Sequence, residues 1–476
     1  MTSFDVSFAG IGYFYPLFVM GIAGFLILFL GTIKRIPALY ASITFGAMLL
    51  SIILIAISGN GMVFGYYVHN GFTEFFSIIF IISSMFIVYP ALKALREKEE
   101  IFYALLLFVT IGMIVAAFSY NLVVLFIAFE AVSIGTYLIS GFHKTRKSLE
   151  SSIKYFFTGT VSTAFIVFGL SYFYLSYGTF NILSVTDLLS KPSAIISAAF
   201  LVIGFGFKLA LFPMHQWAID TYDGTENSVS AFLSTGSKLV AFLIILKIFI
   251  AGFLNMGMIV FYFFLILSIV SMTYANVAAL SQRKVKRILA YSSVAQAGYL
   301  VLAVVVSSYA GKGEALEYAV AAGMYYSLVY IFMKAGSFLT MDMVKKSDAT
   351  LDDMAGLAKE SPTSAASFSV LLLALAGVPL TGGFLAKFYL FLSLFQGDLW
   401  WLGIIAVINS SISVFYYFRI MIYMYTRENV EKKPFDLSLK YRMPLYISAL
   451  VVLFLGIYYP LFNIILPHSI GIFGGI

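Results

Sequence analysis

About fourteen stretches of this chain are apolar for long enough to cross a lipid bilayer, and they leave little room for anything else. They fall at roughly 12–33, 37–57, 75–95, 101–118, 120–141, 151–177, 194–217, 228–250, 258–280, 288–308, 316–341, 363–396, 401–425 and 443–465. A helix needs about 20 apolar residues to span the hydrocarbon. The expected fold is therefore an all-α polytopic membrane protein, a single transmembrane domain over residues 1–476. Only 11% of residues are charged, against about 25% in soluble domains. No soluble domain or nucleotide fingerprint is visible, and the small-residue tract FTGTVSTAF inside the sixth stretch reads as a helix-packing surface. The N-terminus lacks a basic n-region and its first stretch is long enough to span, so a cleaved signal peptide is not expected.

The net charge of +7 has a topological explanation. Odd-numbered loops carry twenty of the 29 Lys and Arg residues, and even-numbered loops carry only Lys191 and Lys312. By the positive-inside rule the odd loops are cytoplasmic and both termini lie outside a prokaryotic plasma membrane. Cys is absent, which excludes disulfides, thiol nucleophiles and thiolate-bound iron–sulfur clusters in this chain. Four scattered His are too few for a metal site, so neither metal nor cofactor is expected here.

The remaining seven basic residues lie within spans. Lys154, Lys247 and Arg419 sit within about two turns of a helix end, where their side chains are expected to snorkel to the interface. Lys208, Lys238, Lys334 and Lys387 lie deeper, as does Glu130, the only carboxylate near a span's middle. Each charge costs roughly 2.5–3.5 kcal/mol at the bilayer centre. Such residues mark ion or proton paths, and an ion pair between Glu130 and Lys208 is the natural way to keep the carboxylate charged.

Two spans carry breaks beside these lysines. Pro213 follows Lys208 by five residues, and Gly377, Pro379, Gly382 and Gly383 precede Lys387. Proline removes a helical hydrogen bond and clashes with the preceding turn. Broken helices five spans apart suggest two five-helix units, residues 101–250 (helices 4–8) and 258–425 (helices 9–13). An odd number of spans per unit inverts one against the other, as in many transporters. Residues 1–100 would then hold helices 1–3, and 443–465 helix 14. Lysine is ordinarily protonated up to a pKa of about 10.4, so proton exchange near neutrality requires burial to oppose its charged form. Neighbouring lysines repel, so a row of them makes an electrostatically coupled relay, with His215 and buried hydroxyls available as bridges.

The tracts FEAVSIGTYLISGFHKTRKSLESSIKYF, GFGFKLALFPMHQWAIDTYDGTENSVSAFLSTGSKLVAF, VAALSQRKVKRILAYSSVAQAGYL and GVPLTGGFLAKFYLF resemble the antiporter-like membrane subunits of respiratory complex I. The resemblance covers roughly residues 100–425 and is strongest to the N-type subunit, the counterpart of mitochondrial subunit 2. It implies two inverted five-helix repeats and a proton relay through Glu130, Lys208, Lys238, Lys387 and His215. Lys387 favours the N-type, because M-type subunits and their antiporter relatives usually place a glutamate there. Lys334 departs from the pattern, since YIFMKAGSFL is similar to an eleventh-helix motif commoner in L-type and Mrp-type subunits.

The resemblance implies a subunit of a redox-driven NAD(P)H (or other donor):quinone oxidoreductase that holds no redox group itself. Flavin, iron–sulfur clusters and quinone are expected in partner subunits: the other membrane-arm chains and a peripheral redox arm. The alternatives are an Mrp-type cation/proton antiporter subunit, which needs no electron donor, and a structural scaffold without transport.

Overall fold

The computed structural model describes residues 8–95, 97–185, 192–253, 256–311, 313–344, 348–428 and 435–475. Arg96, Lys191, Lys312, Lys345, Lys346, Lys432 and Lys433, all used in the topology argument, lie outside the described residues. The helices are α1 (Tyr15–Ile33), α2 (Pro37–Ile57), α3 (Gly71–Ala94), α4 (Glu99–Phe118), α5 (Leu122–Ser140), α6 (Arg146–Tyr177), α7 (Pro192–Leu209), α8 (Gln216–Gly224), α9 (Asn227–Ser234) and α10 (Gly236–Leu246). They continue with α11 (Gly257–Ser281), α12 (Val285–Leu300), α13 (Leu302–Ala310), α14 (Glu314–Thr340), α15 (Leu357–Glu360), α16 (Pro362–Ala376), α17 (Gly382–Gln396), α18 (Trp400–Thr426), α19 (Leu439–Ile457) and α20 (Pro460–Ile465).

Among the described residues, 13 helical segments are long and apolar enough to cross a membrane. The fourteenth crossing is the pair α16 and α17, 15 residues each, separated by residues 377–381. The chain is thus a multi-pass integral membrane protein. The most apolar 18-residue windows of Asn227–Gly252 and Val285–Ala310 are wholly buried, so the eighth and tenth crossings form the core. Outer helices turn large side chains such as Phe29, Phe168, Leu175 and Phe415 outward, as lipid-facing surfaces do.

The seventh crossing breaks where expected: α7 ends at Leu209, and α8 resumes at Gln216 after the cis peptide Phe212–Pro213. The eighth crossing also breaks, at Thr235, although no proline marks it. Ser83 of α3 compensates: its Oγ accepts from the Gly236 amide at 2.8 Å and pairs with the Thr235 hydroxyl at 2.8 Å. A Cβ on Gly236 would lie 2.7 Å from that Oγ, so the close approach needs glycine. At its far end the same crossing finishes in a π-helical turn, Lys247–Gly252.

A two-stranded antiparallel hairpin, β1 (Gly61–Val63) and β2 (Tyr67–His69), departs from the all-helical expectation. Both chain ends gather around it. Tyr13 stacks on His69, and Asn70 Nδ2 donates to the carbonyls of Gly471 and Gly475. Both ends of the described chain therefore share one face, here called the hairpin end.

At the opposite, basic end an ionic cluster ties the two halves together. Asp348 accepts from Lys147 of α6 and, at 3.1 Å, from Lys284 before α12. Buried Asp223 at the end of α8 lies 3.4 Å from Lys147 and 3.5 Å from Lys284. Lys147 beside Asp348 holds that carboxyl below the usual carboxylate range. Burial alone would lower Lys284, but its contacts with Asp348 and Asp223 leave it raised.

Candidate functional site

Lys208 occupies the last turn of α7, immediately before the break. Its ammonium donates to the Tyr155 hydroxyl and, at 3.3 Å, to Thr136 Oγ1. Three rings wall it in, with Tyr155, Tyr137 and Phe129 centroids 4.6, 5.1 and 5.9 Å away. Trp217 of α8 stacks on Tyr155 at 4.4 Å, and its Nε1 donates to the Phe207 carbonyl at 2.8 Å. The indole thus bridges the break and satisfies backbone that proline would otherwise strand at membrane depth.

The ion pair expected between Glu130 and Lys208 does not form. Glu130 accepts from Thr163 of α6 at 2.9 Å. The physical reason is axial offset: Lys208 bonds α5 at Thr136, six residues and about 9 Å along the helix from Glu130. The two charges interact through space without touching.

Lys238 follows the Thr235 break and is fully buried. It donates to both the carbonyl and the Oγ of Ser293, each at 2.8 Å, and Ser293 Oγ pairs with the Tyr330 hydroxyl at 2.8 Å. Lys334, on α14, donates to the Leu289 carbonyl and to Ser292 Oγ, each at 2.7 Å. Ser292 in turn meets the Tyr417 hydroxyl. Ser237, the neighbour of Lys238, faces the Tyr155 hydroxyl, but no hydrogen bond among the described residues closes the gap between this centre and Lys208.

Three residues along α12 from Ser293, Gln296 begins a further buried polar group. Its Oε1 accepts from Tyr326, and its Nε2 donates to the Leu375 carbonyl at 3.1 Å. That carbonyl also accepts from Lys387 at 3.0 Å. Lys387 donates further to Ala376 O at 3.0 Å and Ser410 Oγ at 2.8 Å. Its acceptors are carbonyls at the C-terminal end of α16, freed because the helix stops at Gly377. Gly377 has φ +87°, and a Cβ there would lie 2.9 Å from Lys387 Cδ.

His215 caps α8 on the far side of the Pro213 break, 4% exposed. Phe212, Tyr274 and Tyr291 surround it at 5.4, 5.0 and 6.3 Å, and neither ring nitrogen bonds a protein atom. It stands apart from the buried polar groups that hold the lysines. Lys154 pairs with Glu150 and is half exposed, as expected for a snorkelling residue. Arg419 instead donates to the Leu280 and Gln282 carbonyls at the end of α11. Lys247 does not snorkel: it is 0% exposed, because the α4–α5 connection and the hairpin cover its end of the helix.

The structure therefore places Lys208, Lys238, Lys334 and Lys387 in a row of neighbouring buried polar groups, hereafter the line, and leaves Glu130 and His215 beside it. Tyr155, Ser293, Tyr330, Gln296, Tyr326 and Ser410 are members that residue-type reasoning passed over. One signal was present: Ser293 and Gln296 are three apart, on one helix face, within an otherwise apolar crossing.

A family described as NADH:quinone oxidoreductase/Mrp antiporter, transmembrane, matches residues 119–413. The F(420)H(2) dehydrogenase subunit N of Methanosarcina mazei is 39% identical over 374 residues, covering 75% of this chain and 74% of that protein. The NADH-quinone oxidoreductase subunit N of Moorella thermoacetica is 34% identical over 426 residues, covering 87% and 88%. A chain of respiratory complex I from Thermus thermophilus superposes with a TM-score of 0.81 at 26% identity, covering 95% of this chain and 98% of that one.

Proposed function

This chain belongs to the membrane family shared by NADH:quinone oxidoreductases and Mrp antiporters, and from that membership we propose that it is the N-type, proton-translocating membrane-arm subunit of a complex I-type donor:quinone oxidoreductase. The observation that carries the reading is the row of buried polar groups that runs from the broken seventh crossing at Lys208 to the broken twelfth at Lys387. A packing role does not account for four ammonium groups at membrane depth, each held by carbonyls or hydroxyls rather than by a carboxylate.

That choice of acceptor suits proton exchange. A carboxylate would pin the proton on lysine, whereas a hydroxyl can accept from one neighbour and donate to the next. Lys238 and Lys334 reach adjacent residues of α12, so protonating one disfavours protonating the other. Glu130, offset from Lys208, biases that end of the line, and a shift of either group along the helix axis would switch the bias. Lys387 beside the end of α16 terminates the line, within what this reading takes as the second repeat, residues 258–425, inverted against the first, residues 101–250.

In this reading both termini face away from the cytoplasm of a prokaryotic plasma membrane, consistent with their shared hairpin end. Electron transfer belongs to partners. Flavin, iron–sulfur clusters and quinone sit in a peripheral arm and adjoining subunits, since this chain has no Cys to ligate a cluster through thiolates. Affinity purification in mild detergent tests this. Co-purification of a peripheral arm with iron–sulfur signals by electron paramagnetic resonance is expected. Purification only with small antiporter partners, with sodium-dependent proton exchange in donor-free vesicles, would replace the reading by an Mrp-type antiporter.

A further inference from the structure

The line from Lys208 to Lys387 runs within the membrane and reaches neither surface. Two buried lysines of the described residues lie off it, Lys286 at the basic end and Lys247 at the other. Lys247 is nine residues beyond Lys238 on the eighth crossing, about 14 Å toward the hairpin end. Its ammonium donates to the carbonyls of Ala116 (3.1 Å), Ala117 and Ser119 (2.9 Å), and it lies 4.2 Å from the Tyr120 ring centroid. The helix turns π-helical from this residue onward, a distortion found often at functional positions.

Those carbonyls flank Phe118, and on the face of Phe118 stacks His69, with ring centroids 4.9 Å apart. His69 is 1% exposed, Tyr13 covers its other side at 5.2 Å, and neither ring nitrogen bonds a protein atom. Tyr67, bridged to Ser119, also buries an unpartnered hydroxyl there. A buried lysine, an unpartnered imidazole and an unpartnered phenol thus converge on one turn of backbone. Among the described residues, the neighbouring elements also carry Tyr66 in the hairpin turn, Glu74 in the first turn of α3 and His468, whose ring lies against Gly71. Burial pushes His69 down to about 4.

A trail of hydroxyls leads toward this group from the Thr235 break beside Lys238. Thr235 meets Ser83 at 2.8 Å, and the next residue, Ser84, accepts from Thr110 of α4 at 2.8 Å. Farther along α3, Ser77 donates to the Thr73 carbonyl, and Thr73 to the Val68 carbonyl of β2. All are fully buried. Between Ser84 and Ser77 lie about 10 Å of helix on which Phe80 and Ile81 are fully buried, a gap without hydroxyls that a proton would cross on water.

We propose that this chain has its own proton outlet at the hairpin end, running from Lys238 along α3 to Lys247 and His69, with the hairpin as its cover. The inference rests on the proton-translocating reading. Because neither His69 nitrogen touches Lys247, an intervening water takes the proton that Lys247 releases and passes one of its own to a nitrogen of the neutral imidazole, and His69 gives up a proton from the other nitrogen to outside water. Only N–H and O–H bonds form and break. Lys247 would otherwise be only a cap on the α4 carbonyls.

The test is proton pumping by the assembled complex in proteoliposomes, with NADH or reduced F420 as donor. Lys247→Arg keeps a donor for the carbonyls but cannot deprotonate, and His69→Phe keeps the stack but removes both nitrogens. Each is expected to slow flux through this subunit by about 100-fold, the lower range for loss of a proton-transfer group, seen as a reduced proton-to-electron ratio. A wild-type ratio in both overturns the outlet. Should Lys247→Arg fail to assemble, His69→Phe decides alone. Lys238→Met is the companion: if it too pumps normally, the translocation reading fails, whereas loss in Lys238→Met alone removes only the outlet.

Discussion

Lys238 and Lys334 dock on consecutive serines of one helical turn, Lys238 on Ser293 and Lys334 on Ser292. Lys334 is thereby part of the line, although it departs from the N-type pattern. The two ammonium groups share a turn of α12 in the wholly buried core, where like charges are poorly screened.

Lys334→Met should therefore change pumping, not just stability. Proton translocation by the assembled complex is expected to fall about tenfold or more, measured by quenching of a pH-sensitive dye in proteoliposomes. Unpairing Leu289 O and Ser292 Oγ should cost about 1–3 kcal/mol each at most.

Gln296 reaches the end of α16 at the second break. Gln296→Leu strands the Tyr326 hydroxyl, costing about 1–3 kcal/mol, and removes the side chain that ties Tyr326 to the Leu375 carbonyl that Lys387 shares. Pumping should fall, while Gln296→Glu, which keeps the acceptor for Tyr326, should retain more of it.

Gly377→Ala should act on Lys387 at a distance of one side chain. The left-handed backbone at this residue costs a non-glycine about 1–2 kcal/mol, and the new methyl crowds Lys387 Cδ. The expected outcome is a lower melting temperature together with reduced pumping.

The basic-end cluster sets a pH dependence. Asp348 titrates below its unfolded value of about 3.9, so its contribution is present above that pH and fades as pH falls through the lowered folded value. Lys284 is raised above about 10.4, so its contribution is complete below that pH and fades as pH rises through the raised value. The clamp is intact between these limits. Both side chains are more than a third exposed, so Asp348→Asn should cost at most about 1 kcal/mol in thermal melts at pH 7, and less near pH 3.

Hydropathy placed the fourteen crossings, and Pro213 and Gly377 located two breaks, because both signals are local to the chain. The break at Thr235 was not legible. It depends on Ser83, some 150 residues away, supplying the bond that Gly236 loses. The charged residues stood out by type, but their partners did not. Carbonyls such as Leu375 O and Ala376 O exist at every position, and only the end of a helix makes them available. Pairing Glu130 with Lys208 followed from charge alone, whereas the helical rise sets them apart and gives Lys208 to Tyr155. Lys247 looked like an interfacial residue because its distance from the helix end is visible in sequence and the cover over that end is not.

The most direct test compares Lys208→Met and Lys387→Met in the assembled complex, with redox-driven proton uptake and electron transfer measured in the same proteoliposomes. Both ends of the buried line should be needed, so each variant should translocate fewer protons per electron than wild type. A wild-type proton-to-electron ratio in both assembled variants would contradict a proton path through these lysines.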